Sequence, residues 1–153
     1  MGIMKGQGAT EYLVLLGAVL IVALVALALL GFFPGLSSDA KIQQSQAYWT
    51  GEAQPFAIID YGISNDGNAT LVLQNKKADG AYNLTAVKVG SVSVSPNVMV
   101  GSGSTYTVTI NNAGLAGTGA GTLYDFKMEI TYNSPSGIAG TQAGAKNLVG
   151  KYS

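Results

Sequence analysis

The chain has 153 residues, eight lysines against eight acidic residues, and no arginine, histidine or cysteine. Balanced charge removes the basic field that a nucleic-acid backbone needs. Missing histidine and cysteine remove the usual zinc ligands, a thiol nucleophile and a Ser-His-Asp triad. Missing arginine removes the bidentate phosphate clamp, so the composition points away from an enzyme and no cofactor is expected.

In chain order, the first element is an uncharged apolar run over residues 12–33, opened by the single carboxylate of Glu11. As a helix it would be about 33 Å long at ~1.5 Å per residue, enough to cross a hydrocarbon core of about 30 Å. A secretory signal carries a basic n-region, an apolar stretch of about 7–15 residues and a small-residue cleavage site. Here the apolar run is longer than that, and Gly31-Phe32-Phe33-Pro34-Gly35 follows it in place of such a site. Lys5 and the amino terminus then lie on the cytoplasmic side, and everything after Phe33 faces outward. Lys41, partly balanced by Asp39, is the competing charge.

The residues before the run are Lys5-Gly6-Gln7-Gly8-Ala9-Thr10-Glu11-Tyr12. This segment resembles the class III signal peptide of archaeal type IV pilins: Gln, any, small or hydroxyl, any, Glu, Tyr, then an apolar helix. Gln7, Glu11 and Tyr12 match, and Ala9 stands where the family often has serine. The resemblance implies peptidase cleavage between Gly6 and Gln7, with the apolar helix retained. It also implies that Glu11 pairs with the new amino group of a neighbouring subunit and sets register, with Tyr12 part of the same assembly motif. The motif spans about eight residues; the resemblance covers the N-terminal third, and the remainder agrees only in general character. In lipid, an acid at the lip of an apolar helix calls for such a partner. The plainer reading is a headgroup-level acid near a helix N-terminus, which favours its charged form.

Apolar residues occupy every face of the run, as on a helix surrounded by lipid or by other helices. Gly17, Ala18, Ala23, Ala26 and Ala28 are small enough for close approach, but Ile21 stands four residues after Gly17, so there is no GxxxG pair. Pro34-Gly35 predicts a bend. A second helix is expected over residues 36–49, capped by Ser37 or Ser38 with Asp39 in its first turn. Its half-apolar face would be Leu36, Ala40, Gln43 or Gln44, Ala47 and Tyr48, packing onto the outer domain, and Thr50-Gly51 would end it.

From Pro55 the period becomes two. Tyr124, Phe126, Met128, Ile130 and Tyr132 alternate with Asp125, Lys127, Glu129 and Thr131, predicting one half-buried antiparallel strand over 123–132. Tyr106, Val108 and Ile110 alternate with threonines over 105–110. Weaker strands are expected at Phe56–Ile63, 70–74, 85–89, 91–95, 97–100 and 148–152. Asn65-Asp66-Gly67, Asp79-Gly80 and Ser136-Gly137 supply turns. Sheet edges would be exposed and open to a neighbouring subunit. Asn68-Ala-Thr70 and Asn83-Leu-Thr85 are N-glycosylation sequons, at a frequency that chance alone provides. Residues 114–121 (GLAGTGAG) lack the Gly-Lys-Ser/Thr ending of a phosphate loop and lead into a strand, so a flexible hairpin loop is expected. Phe32, Phe33, Tyr48 and Trp49 read as an interfacial belt and head packing.

The expected fold class is therefore α+β: a long N-terminal hydrophobic helix bent at Pro34, then a small antiparallel β-sandwich or partial barrel. The expected organisation is a leader over 1–6, an assembly or transmembrane helix over 7–50 and an extracellular β-rich head over 51–153. By resemblance, the chain is the structural subunit of an adhesive pilus-like filament at the cell surface. Its precursor would sit in the cytoplasmic membrane, and its partners would be identical subunits, a prepilin peptidase and host or abiotic surfaces. The alternatives are a minor or motility-type filament subunit, and a non-polymerising membrane-anchored binding domain.

Overall fold

The computed structural model describes residues 3–31 and 34–153. Helix α1 spans Ile3–Gly31 and α2 spans Pro34–Ala47, followed by a π-helical turn, Tyr48–Glu52. The expected interruption just before Pro34 falls on residues 32 and 33, outside those described, as do both phenylalanines of the proposed aromatic belt. The N-terminal helical unit ends at Ser38, and Asp39–Ser153 forms a second compact unit, the head. The chain is thus an α+β protein, with open antiparallel sheets in the head.

Ten strands follow: β1 Phe56–Ile63, β2 Asn68–Asn75, β3 Tyr82–Val89, β4 Val92–Val94, β5 Val98–Val100, β6 Thr105–Asn111, β7 Leu123–Phe126, β8 Met128–Asn133, β9 Ala139–Ala143 and β10 Leu148–Lys151. One sheet has the order β1-β2-β6. A second has β4-β3-β8-β9, with β5 also on β3, and β10 pairs with β7 alone. Every pair is antiparallel. Between the sheets lies one apolar core that includes Phe56, Ile58, Leu71, Leu73, Leu84, Val87, Ile110 and Ile130, all essentially inaccessible.

Glycine sets the turns where the backbone must adopt positive φ. Gly67 (φ 88°) closes the turn between β1 and β2. A Cβ there would run into the carbonyl of Asn112, so this turn admits no side chain.

Three expectations about secondary structure are corrected. Helix α2 starts at Pro34, which places Ser37 and Ser38 inside it; proline suits a first helical turn because its φ is already fixed. The run 123–132 is two strands in different sheets, divided at Lys127. Alternation of burial continues across that division, from buried Tyr124 to buried Met128 and Ile130, so periodicity alone does not register the change of partner. Strand β9 was not anticipated. Its sequence, Ala-Gly-Thr-Gln-Ala, has a single β-branched residue and little strand propensity.

Candidate functional site

The motif residues Gly6 to Tyr12 all lie within α1 and all are exposed. Gln7 and Glu11 are four residues apart, one helical turn, so they share a face. The only side-chain hydrogen bond described in this segment runs from Thr10 Oγ1 to the carbonyl of Gly6, at 2.9 Å. Glu11 makes no ion pair among the described residues. The bond between Gly6 and Gln7 is helical backbone, and the side chain of Lys5 lies outside those described.

Beyond Tyr12, itself 66% exposed, every large apolar side chain through Leu30 is open, including Leu13, Leu20, Ile21, Leu24 and Leu30. Burying one such side chain fully is worth about 1.5–3 kcal/mol. Leaving this set in water would therefore cost on the order of 20 kcal/mol or more. A surface of that kind marks a contact with lipid or protein. Gly17 has nothing within 4 Å of a would-be Cβ, so its notch is available to a neighbouring helix. At 29 residues, α1 is long and apolar enough to cross a membrane.

The head's contact with the rest of α2 differs from the expected face. Leu36, Ala40, Gln43, Gln44 and Ala47 are exposed; the inward positions are Ile42, Ser45, Tyr48 and Trp49. Ser45 is a buried polar residue that hydropathy cannot place. Its hydroxyl donates to the Asn147 carbonyl at 2.7 Å and accepts from the Val149 amide at 3.0 Å. The Tyr61 hydroxyl donates to the Val149 carbonyl at 2.8 Å, tying β1 to the same point on β10. Trp49 is fully buried, edge-on to Tyr48 at 5.0 Å. Gly144 lies so close to the Trp49 ring that no Cβ fits there. The Tyr48 hydroxyl accepts the Ala145 amide at 3.0 Å. These contacts dock the end of α2 onto the head, and Asp39 and Lys151 add an exposed ion pair of 3.0 Å.

Other buried polar groups escaped the sequence reading. Gln142 bonds both backbone groups of Phe56: its Nε2 donates to the carbonyl at 2.7 Å and its Oε1 accepts from the amide at 3.0 Å. Asn75 donates to the carbonyls of Gly80 and Val100 and accepts from the Lys77 amide. A side-chain amide can imitate a strand partner in this way, but nothing in one dimension distinguishes such a residue from a surface glutamine.

The two sequons differ in setting. Asn68 is exposed at the start of β2, beside the turn after β1, whereas Asn83 is half-buried within β3, between β5 and β8. Its Oδ1 is buried without a hydrogen-bond partner. In the 114–121 loop, Leu115 is buried and Gly117 lies against the Tyr152 ring, with its would-be Cβ 2.6 Å away. The loop is packed down rather than free, which corrects the expected flexible hairpin loop.

Tyr61, Tyr124 and Tyr152 gather beneath β7 and β10. Burial pushes the Tyr124 hydroxyl well above the usual tyrosine range, and the neighbouring charges that Tyr61 and Tyr152 would carry push it further. Tyr152 is raised by burial. Tyr61 is raised by burial too, in part opposed by its hydrogen bond with Ser45. A groove of about 480 Å³ lies between the end of α2 and β1 and is lined by Gln43, Gln46, Ala47, Thr50, Ile59, Asp60 and Tyr61. Among the described residues no three His, Cys, Asp or Glu side chains converge as metal ligands.

Compared with protein-family models, with curated proteins and with solved structures, the chain gives no match in any of the three. Function therefore has to be argued from the segment itself.

Proposed function

We propose that this protein is the structural subunit of an extracellular pilus-like filament, processed between Gly6 and Gln7 and polymerised through α1. The observation that carries the reading is one helix exposing apolar side chains on every side, with Glu11 one turn after Gln7 at its polar lip. Lipid covers such a surface before assembly, and the equivalent helices of other subunits cover it afterwards. The uniform surface lets the helix move between the two without stranding a polar group. Cleavage would place a new amino group on the same face as Glu11. In a helix bundle that carboxylate pairs with the amine of a neighbour, and removing one partner of a buried pair costs about 3–5 kcal/mol. The head forms the outer surface, with Asn68 the more accessible of the two sequons for a glycan.

Expression of the full chain with and without a class III signal peptidase tests this. Processing should shorten the product by its first six residues, and only the shortened form should yield filaments. Glu11→Ala should still insert into membranes but assemble poorly. A chain that is never shortened and never polymerises would leave a membrane-anchored surface domain in its place.

A further inference from the structure

The head manages its sheet edges unevenly. A strand edge presents unpaired N–H and C=O groups, and proteins usually blunt it with a charge, a proline, a bulge or a cover. Strand β1 has all but the proline. A register shift interrupts it between Ile58 and Asp60, Asp60 is charged, Gln142 occupies both backbone groups of Phe56, and the Ser153 amide donates to the Ile63 carbonyl. Strands β4 and β5 are three residues each, separated by a stretch that contains Pro96. The β7–β10 pair is four residues long and carries Asp125 and Lys151. Strand β9 is five residues, thinned by Gly140, with its Gln142 side chain bound to Phe56.

Strand β6 carries none of these devices in its own sequence, although the Val94-Ser95-Pro96 stretch lines a small groove together with its Tyr106, Val108 and Thr109. Its seven residues, Thr-Tyr-Thr-Val-Thr-Ile-Asn, contain no charge, proline or glycine, and their register with β2 is unbroken from Thr105 to Asn111. Among the described residues β6 pairs with β2 alone, so one long edge, about 24 Å at ~3.4 Å per residue, is left open. It faces away from β1, which lies at the far side of the same sheet.

We infer that the occupant of this edge is β6 of a second copy, paired antiparallel to give one six-stranded sheet across two heads. The strand is complementary to itself. In full overlap Val108 sits on the two-fold axis, Thr107 faces Thr109 of the partner, and Thr105 faces Asn111. Threonine pairs across strands are favourable, and no like charges meet. Exposed Thr105, Thr107 and Thr109 continue the polar outer face, while Tyr106, Val108 and Ile110 continue the apolar inner one. A charged peptide would find no counter-charge on β6 itself.

Such a contact is isologous and closes on itself, so it does not build a fibre, which needs head-to-tail contacts. It joins two fibres side by side, and this last step rests on the filament reading above. One strand pair is a small contact, weak between free heads and strong when repeated along two fibres.

The chain has no cysteine, which permits a direct test on the full chain in detergent and on any filaments. Thr105→Cys with Asn111→Cys should give covalent dimers under mild oxidation or with a short thiol cross-linker. Thr70→Cys, exposed on the central strand β2, should not. Adding Thr107→Lys and Thr109→Lys to the first variant should abolish the dimer while the head's thermal unfolding stays cooperative, and should convert bundled filaments into single ones. Equal cross-linking at Thr70, no cross-linking at β6, or bundles that survive the lysines would overturn the pairing. Dimers without any filaments would leave the edge pairing intact and defeat only the filament reading.

Discussion

Helix α1 and the head answer opposite physical demands. In the head, Trp49, Phe56, Leu73 and Ile130 are sealed from solvent, and Ser45, Gln142 and Asn75 find partners within the chain. In α1 every large apolar side chain from Tyr12 to Leu30 lies open, and Glu11 has no ion pair among the described residues. A surface closed by its own chain gives a fold. One left open needs a cover from outside the chain, whether lipid or protein.

The contrast can be broken most sharply at Trp49. Trp49→Ala should destabilise the head by about 3–5 kcal/mol, because the fully buried ring fills space against Gly144 that the fold cannot readily collapse. Denaturant unfolding followed by tyrosine fluorescence measures this, and a loss below about 1 kcal/mol would mean the end of α2 is not part of the head's core. In α1 the same kind of change should act elsewhere. Leu24→Lys should cost insertion about 2.5–3.5 kcal/mol, read in a glycosylation-tag insertion assay, while the head's unfolding midpoint stays put. A head that melted early in that variant would show the two units to be energetically coupled.

Ser45→Ala sharpens the comparison at smaller cost. The Val149 amide loses its acceptor and the Asn147 carbonyl its best donor, for about 1–3 kcal/mol, seen as faster hydrogen exchange at Val149. Tyr124 gives a pH signature confined to the head. Its folded pKa lies above the unfolded value of about 10, so its contribution is complete below that pH and is lost as pH rises through and beyond it. Tyr124→Phe should flatten the alkaline fall in stability above pH about 10 and leave neutral stability little changed; an unchanged alkaline limb would remove Tyr124 from that role. The smallest effect belongs to Leu24→Ala, within about 0.5 kcal/mol for head stability, since Leu24 is exposed on α1, outside the head.

Much of the fold was legible because the pattern was regular. Strand β1 falls on the expected residues Phe56–Ile63, and β6, expected over 105–110, runs one residue further, Thr105–Asn111, because alternation over a half-buried sheet writes itself directly into the order of residues. The break at Lys127 and strand β9 were not legible, since both depend on which strand lies alongside. The buried face of α2 was missed for a related reason. Its central residue is a serine, and a serine is buried only if distant backbone, here Asn147 and Val149, satisfies it. The motif of Gln7, Glu11 and Tyr12 was readable from sequence alone, whereas the choice between the sequons at Asn68 and Asn83 required the sheet.

By itself, the sequence determined an apolar helix long and uniform enough to span a membrane, an acid at its lip, and a β-rich head. Those properties are local, set by composition and by periods of a few residues. Only the tertiary structure decided which polar residues are buried, where one run of alternation becomes two strands, and that β6 keeps an open edge while β1 is covered. Each depends on residues tens of positions apart meeting in space, and no local period encodes that meeting.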